Sequence, residues 1–199
     1  MLDHSIENLN PISVNVAVQP TLLSVKQYLA EEETSRVRHE YVRGYVYAMA
    51  GASKAHNEIC LNIAEILRAH LRGGSCRTSM ADVKLRPHFD EELFYYPDLM
   101  VTCDPRDKHP LFNRFPKLIV EVTSESTEML DRREKLLEYL RIETLEEYLL
   151  IAQDRTEATV FRRSSDWKPQ IMRDSNGELS LESLNLTAKM SAIYAGVVF

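Results

Sequence analysis

The stretch "KLIVEVTS" at residues 117–124 limits the possible folds more than any other. It is short, apolar on both faces and rich in β-branched residues, as a strand covered on both sides must be. An amphipathic stretch follows, "STEMLDRREKLLEYLRI", with Met129, Leu136, Leu137 and Leu140 on one helical face. A second apolar strand, "EEYLLIA", comes next. A helix between two buried strands predicts parallel pairing through a right-handed crossover over 117–152, with the first strand central in the sheet. The chain as a whole reads as α/β: a mixed central sheet flanked by helices.

The remaining elements fit that plan. Residues 1–20 lack periodicity and read as a loose arm, followed by a single domain over 21–199. Ser24 caps a short helix that runs into Glu31, Glu32 and Glu33. "RHEYVRGYVYAMAG" predicts a hairpin turning at Arg43-Gly44. Ser53 precedes a longer helix over about 54–72, with Ile59, Ile63, Ile66 and Leu67 inward and Gly73-Gly74 at its end. "ADVKLRP" and "LFYYPDLMVTC" read as strands, and so do "EATVFRR" and "KPQIMR". Asn176-Gly177 marks a turn, and "LTAKMSAIYAG" reads as a terminal helix.

Composition narrows the class. The 199 residues carry a net charge of −6, which argues against a nucleic-acid coat protein but not against a catalyst with a local basic lip. No apolar run approaches the roughly 20 residues needed to span a bilayer, and no export signal is visible. Cys60, Cys76 and Cys103 lack metal-type spacing and read as reduced thiols of a cytoplasmic protein.

Two carboxylates interrupt apolar strands: Asp98 at the start of "DLMV" and Glu121 inside "LIVEV". A buried carboxylate is expensive unless it is paired or holds a cation. A salt bridge at a sheet end explains either one alone; two on neighbouring strands, followed by Lys135 on the next helix, ask for more. Asp131, Lys135 and Tyr139 share a helix face at i, i+4 and i+8. Phosphodiester hydrolysis would give the set a purpose. Hard oxygen ligands bind Mg²⁺ or Mn²⁺, the cation activates water and offsets phosphate charge, and an ammonium stabilises the transition state. Asp98, Glu121 and the carbonyl of Val122 are the expected metal ligands.

The succession "YPD", "VEVTSEST", "DRREKLLEY" and "EEYLLI" resembles the restriction endonuclease-like PD-(D/E)XK superfamily, and within it the Uma-two family of endonucleases. The upstream "RHEYVRGYVYAMAGASKAHNEI" is similar to that family's N-terminal segment, so the resemblance runs from about Ser24 to the C-terminus. It implies a restriction endonuclease-like fold, with Asp98 as the motif aspartate and Glu121 as the second acidic ligand. The superfamily's lysine stands two residues after that glutamate, where this chain has Thr123. The resemblance implies that Lys135 takes over from the following helix.

Glu40 matches the acidic residue of the family's "E-x-x-x-G" stretch; it either reaches the metal through a water or pairs with Arg38 or Arg43. His56 is either an auxiliary acid/base touching phosphate or a helix-start residue. Asp82 either lines the cleft or lies on a solvated face. Arg68, Arg72, Arg77, Lys84, Arg86, Arg132 and Arg133 could grip a backbone if the fold gathers them. Tyr95 and Tyr96 are expected to pack rather than stack on bases. The sequence thus points to a Mg²⁺- or Mn²⁺-dependent endonuclease acting on DNA in the cytoplasm, without a membrane partner. Duplex cleavage suggests a homodimer, with "AIYAGVVF" as an interface. Two other readings stay open: a catalytically inactive nuclease-fold binding or assembly module, and a thiol hydrolase using Cys60 or Cys103 with His56.

Overall fold

The computed structural model describes residues 22–49, 51–123 and 135–199. The loose arm and the segment with Met129, Asp131, Arg132 and Arg133 lie outside the described residues. The centre is a six-stranded mixed sheet in the order β11-β10-β9-β8-β6-β3. Its strands are β3 (Arg77–Met80), β6 (Leu99–Thr102), β8 (Pro116–Thr123), β9 (Glu147–Ala152), β10 (Ala158–Arg162) and β11 (Pro169–Met172). β8 is central, as its apolar run requires, and pairs parallel with β9; the other pairings are antiparallel.

Helices cover the two faces. α2 (Lys54–His70) lays Ile59, Ile63 and Leu67 against Leu118, Val120 and Val122 of β8. The opposite face carries Ile119 of β8 with Tyr139 from α3 (135–140), then Ile142 and Leu145. The two-residue period of a strand therefore sends Glu121 to the α3 side, together with Ile119. Leu137, expected inward, is 66% exposed; Tyr139 takes the buried position instead.

A three-stranded sheet, β2-β1-β5, lies alongside, built from β1 (His39–Val42), β2 (Tyr45–Ala48) and β5 (Leu93–Phe94). The predicted hairpin forms with Arg43 at φ 46° and Gly44 at φ 97°, the positive-φ pair that a two-residue turn demands. A Cβ on Gly44 would also stand 2.9 Å from Leu22. α1 (Val25–Thr34) starts at Ser24, whose hydroxyl accepts from the Gln27 amide in a capping box. The Ser53 cap on α2 is likewise present. Tyr28, Tyr41, Phe94 and Phe112 fill the space between these layers.

Three expectations fail locally. "ADVKLRP" forms only the two-residue strand β4 (Lys84–Leu85), which pairs with β7 (Phe112–Asn113) and bridges Tyr95 through Leu85. The expected terminal helix is a strand, β13 (Leu186–Lys189), paired with β12 (Glu178–Leu181), and then one helical turn, α4 (Met190–Ile193). Thr187 and Lys189 are exposed while Ala188 is buried, a two-residue alternation too short to outweigh the helical spacing of Met190, Ile193 and Tyr194. Cys76 and Cys103 are not reduced thiols: they form a disulfide, their Cα atoms 4.0 Å apart. Pairing of Arg77 with Thr102 sets the two cysteines opposite each other just beyond β3 and β6, an antiparallel juxtaposition that their separation of 27 residues does not reveal.

At the start of β9, Glu147 is almost fully buried and accepts from Arg162 Nε at 2.8 Å and from the amides of Glu182 and Ser183 at 3.0 Å each. Removing one partner of such a pair strands a charge in the core. Arg162→Ala is expected to cost about 3–5 kcal/mol in denaturant unfolding, near the top of the single-mutant range.

Candidate active site

Pro97 explains why an aspartate opens β6. Leu99 pairs with Val120, so continuing the ladder would set Asp98 against Glu121 and then residue 97 against Val122. The chain leaves the ladder at Pro97, and the Asp98 carboxylate takes the bond instead, its Oδ2 accepting from the Val122 amide at 2.7 Å. The Asp98 amide in turn donates to Glu121 Oε2 at 3.4 Å. The two acids are thus tied together where β6 and β8 part. Along β8, the carbonyls of Lys117 and Thr123 accept from Glu146 and Gln153 on the β9 side. Alternation turns the backbone of Val122 to the β6 side, beside Asp98.

Lys135, in the first described turn of α3, reaches the same place. Its Nζ lies 2.8 Å from Glu40 Oε1 and 3.7 Å from Glu121 Oε1. Glu40 arrives from β1 and also accepts from the Tyr96 amide at 3.3 Å. It pairs with neither Arg38, which holds Asp82, nor Arg43, which holds Asp90 and Glu138. Tyr139, one turn beyond Lys135, donates its hydroxyl to Glu121 Oε1 at 3.0 Å. His56, fixed by the Ser53 cap, places Nε2 3.1 Å from Asp98 Oδ2. Asp98, Glu121, Lys135, Glu40 and His56 therefore converge, although they come from the bend before β6, from β8, α3, β1 and α2 respectively.

Burial sets the electrostatics. Glu121 is 7% exposed. Desolvation raises its pKa above the usual carboxylate range; Lys135 pulls it back, and Asp98 and Glu40 push it up again. Burial holds the Tyr139 hydroxyl well above its usual pKa, so it stays a donor. Three carboxylates and one described lysine leave a pocket that a cation would stabilise. Among the described residues nothing donates to Asp98 Oδ1 or Glu40 Oε2. With Glu121 and the backbone of Val122, the donors are all oxygen, which suits a hard divalent ion. Thr123, where the lysine is missing, is buried with its hydroxyl unpartnered.

Other expectations resolve differently. Asp82 is exposed beside Arg38. Tyr95 and Tyr96 are buried in the protein. Lys84 lies over the Tyr96 ring, Arg86 over Phe94 and Phe112, and Arg77 donates to the carbonyls of Gly74 and Cys76. Arg68 and Arg72 are exposed on and just after α2. Cys103 is in the disulfide, so it is no nucleophile. Cys60 does lie beside His56, Sγ to Nδ1 at 3.6 Å, but burial and then the charges of Asp98 and Glu121 raise the thiol's pKa and keep it protonated. Sequence reasoning offered Cys60 or Cys103 beside His56 without choosing, although the i, i+4 spacing of His56 and Cys60 on α2 already favoured this neighbour. It also gave Tyr139 a face without a role.

The known proteins that this chain resembles agree with the fold. An "Uncharacterized protein slr1290" from Synechocystis is 36% identical over 179 residues, covering 89% of this chain and 94% of the relative. A second, "Uncharacterized protein sll1609" of the same organism, is 27% identical over 176 residues, 86% of this chain and 99% of that one. A crystal structure from Anabaena variabilis, described as "a putative nuclease belonging to DUF820", superposes with a TM-score of 0.69 at 12% identity, over 82% of this chain and 93% of that chain. No helix among the described residues is long and apolar enough to cross a membrane. The family model Uma2, "Putative restriction endonuclease", matches residues 25–191, and the chain, with its mixed sheet flanked by helices, belongs to that family.

Proposed function

We propose that this protein is a divalent-metal-dependent endonuclease that hydrolyses phosphodiester bonds in DNA, using a PD-(D/E)XK-type site with its lysine displaced. The supporting observation is the reach of Lys135 from α3 to both Glu40 and Glu121, which brings an ammonium to the acidic pair despite Thr123. Asp98, Glu121 and the Val122 carbonyl would hold Mg²⁺ or Mn²⁺. Such an ion supplies Lewis acidity, easing deprotonation of water and offsetting charge on the phosphate. Lys135 orients the attacking water and faces the charge that grows on the phosphoryl oxygens. Glu40 positions that ammonium, and Tyr139 fixes the Glu121 carboxylate. His56, on the far side of Asp98, steadies that carboxylate and sits where it could exchange a proton with substrate. A homodimer would present two such pockets to the two strands of a duplex; Val198 and Phe199 are exposed for contact. A DNA substrate puts the work in the cytoplasm, where reductants would act on the Cys76–Cys103 bridge.

The test is cleavage of supercoiled plasmid, single-stranded DNA and RNA with Mg²⁺, Mn²⁺ or chelator. Wild type should nick DNA only with metal, and Asp98→Ala should lose about 10³-fold, the scale of removing one preorganised electrostatic element. Metal binding without cleavage of any substrate would instead mark an inactive nuclease-fold module.

A further inference from the structure

We propose that His56, Cys60 and Asp98 form a second cation site, of zinc type, on the α2 side of Asp98. A ring nitrogen of His56, Cys60 Sγ and a carboxylate oxygen of Asp98 all lie within 4.8 Å of one another. His56 Nδ1 is 3.6 Å from Sγ and Nε2 is 3.1 Å from Oδ2. One ion takes only one of the two ring nitrogens; ligand atoms around tetrahedral zinc stand roughly 3.5 Å apart, so from a set within 4.8 Å a side-chain adjustment of about an ångström closes it, with water in the fourth position. Two of the ligands are already fixed: His56 and Cys60 are one helical turn apart on α2, and the Ser53 cap that starts the helix bonds in turn to Gln153.

The donors differ in kind from those of the oxygen pocket. Thiolate and imidazole suit borderline-soft ions such as Zn²⁺ and Co²⁺, whereas Mg²⁺ takes hard oxygens. Cys60 has no part in the hydrolytic scheme, and as a buried protonated thiol beside His56 it is no nucleophile. A dication would reverse that balance: the Sγ–H proton passes to solvent as sulfur bonds the ion, and nothing is oxidised or reduced. Asp98 then serves two sites. An ion on the α2 side draws its carboxylate away from Glu121, so zinc-type ions would inhibit cleavage supported by Mg²⁺. That inhibition rests on the nuclease reading; the metal site does not.

The full-length protein, disulfide intact and metal-free, should be titrated with Co²⁺ as the spectroscopic probe for zinc. The expected result is a near-ultraviolet thiolate-to-cobalt absorption band at one Co²⁺ per chain, displaced by Zn²⁺ and lost in Cys60→Ala. Alanine fills most of the volume of a buried thiol without adding a polar group. His56→Ala should weaken Co²⁺ binding at least tenfold. In cleavage assays, Cys60→Ala should keep Mg²⁺-dependent activity and escape inhibition by Zn²⁺. Absence of the band in folded wild type, or a band unchanged in Cys60→Ala, overturns the site. A protein with the band that cuts nothing keeps the site and loses the nuclease reading; one that cuts without the band does the reverse.

Discussion

Lys135→Met is expected to lower cleavage by about 10²–10³-fold while Mg²⁺ binds at least as tightly as to wild type. The reason lies in what the ammonium does in each state. In the resting protein it competes with a metal for the negative potential of Glu121 and Glu40, at 3.7 and 2.8 Å. Its removal therefore leaves a more attractive pocket. In the transition state it meets charge that has grown on the phosphoryl oxygens, and losing one such donor costs about 3–4 kcal/mol. Calorimetric metal titration beside single-turnover cleavage separates the two effects. Methionine keeps the aliphatic stem, so packing of α3 is preserved. Equal losses of binding and cleavage would mean that Lys135 merely holds the pocket together.

Glu121→Gln should abolish cleavage and, without metal, make the protein more stable at alkaline pH. Burial raises the Glu121 pKa from 4.5 to about 8. A carboxyl with a raised folded pKa keeps a proton that the unfolded chain has released. Its stabilising effect is present below about pH 4.5 and is lost as pH rises through about 8. Wild type should thus weaken over that window, and Gln, which carries no charge, should not. The gap at pH 9 should be about 2–4 kcal/mol, since each tenfold change in proton affinity is worth about 1.4 kcal/mol. The amide can accept from the Asp98 N–H and donate to the Tyr139 oxygen, and Lys135 retains Glu40. Mg²⁺ should restore wild type at alkaline pH and leave the variant unchanged. Denaturant unfolding at pH 5, 7 and 9, with and without Mg²⁺, measures this directly; a wild type whose stability rises between pH 5 and 9 would refute it.

Much of the frame was legible because its causes are local. The buried run of β8, the turn at Arg43-Gly44 and the caps at Ser24 and Ser53 each declare themselves within a few residues. The acids stood out because each breaks an apolar pattern. What could not be read were pairings fixed by three-dimensional register. Cys76 meets Cys103 only because β3 and β6 align. Glu40 finds Lys135 only because a separate small sheet lies alongside α3, and its sequence neighbours Arg38 and Arg43 were the natural but mistaken partners. Leu137 and Tyr139 stand about 160° apart around the helix, on nearly opposite faces, and Leu136, Leu137 and Leu140 outweigh a single tyrosine when hydrophobicity alone chooses the inward one. The terminal strand was hidden because four residues of alternation compete with a longer helical pattern.

The central claim is that the acids joined at the parting of β6 and β8 hold a hard cation within reach of Lys135. Crystals soaked in Mn²⁺ and measured at a wavelength with anomalous signal from manganese test it most directly. One dominant peak is expected in bonding contact with Asp98, Glu121 and the Val122 carbonyl, with the Lys135 ammonium beside it. No peak there, or manganese seated only on His56 and Cys60, would contradict it.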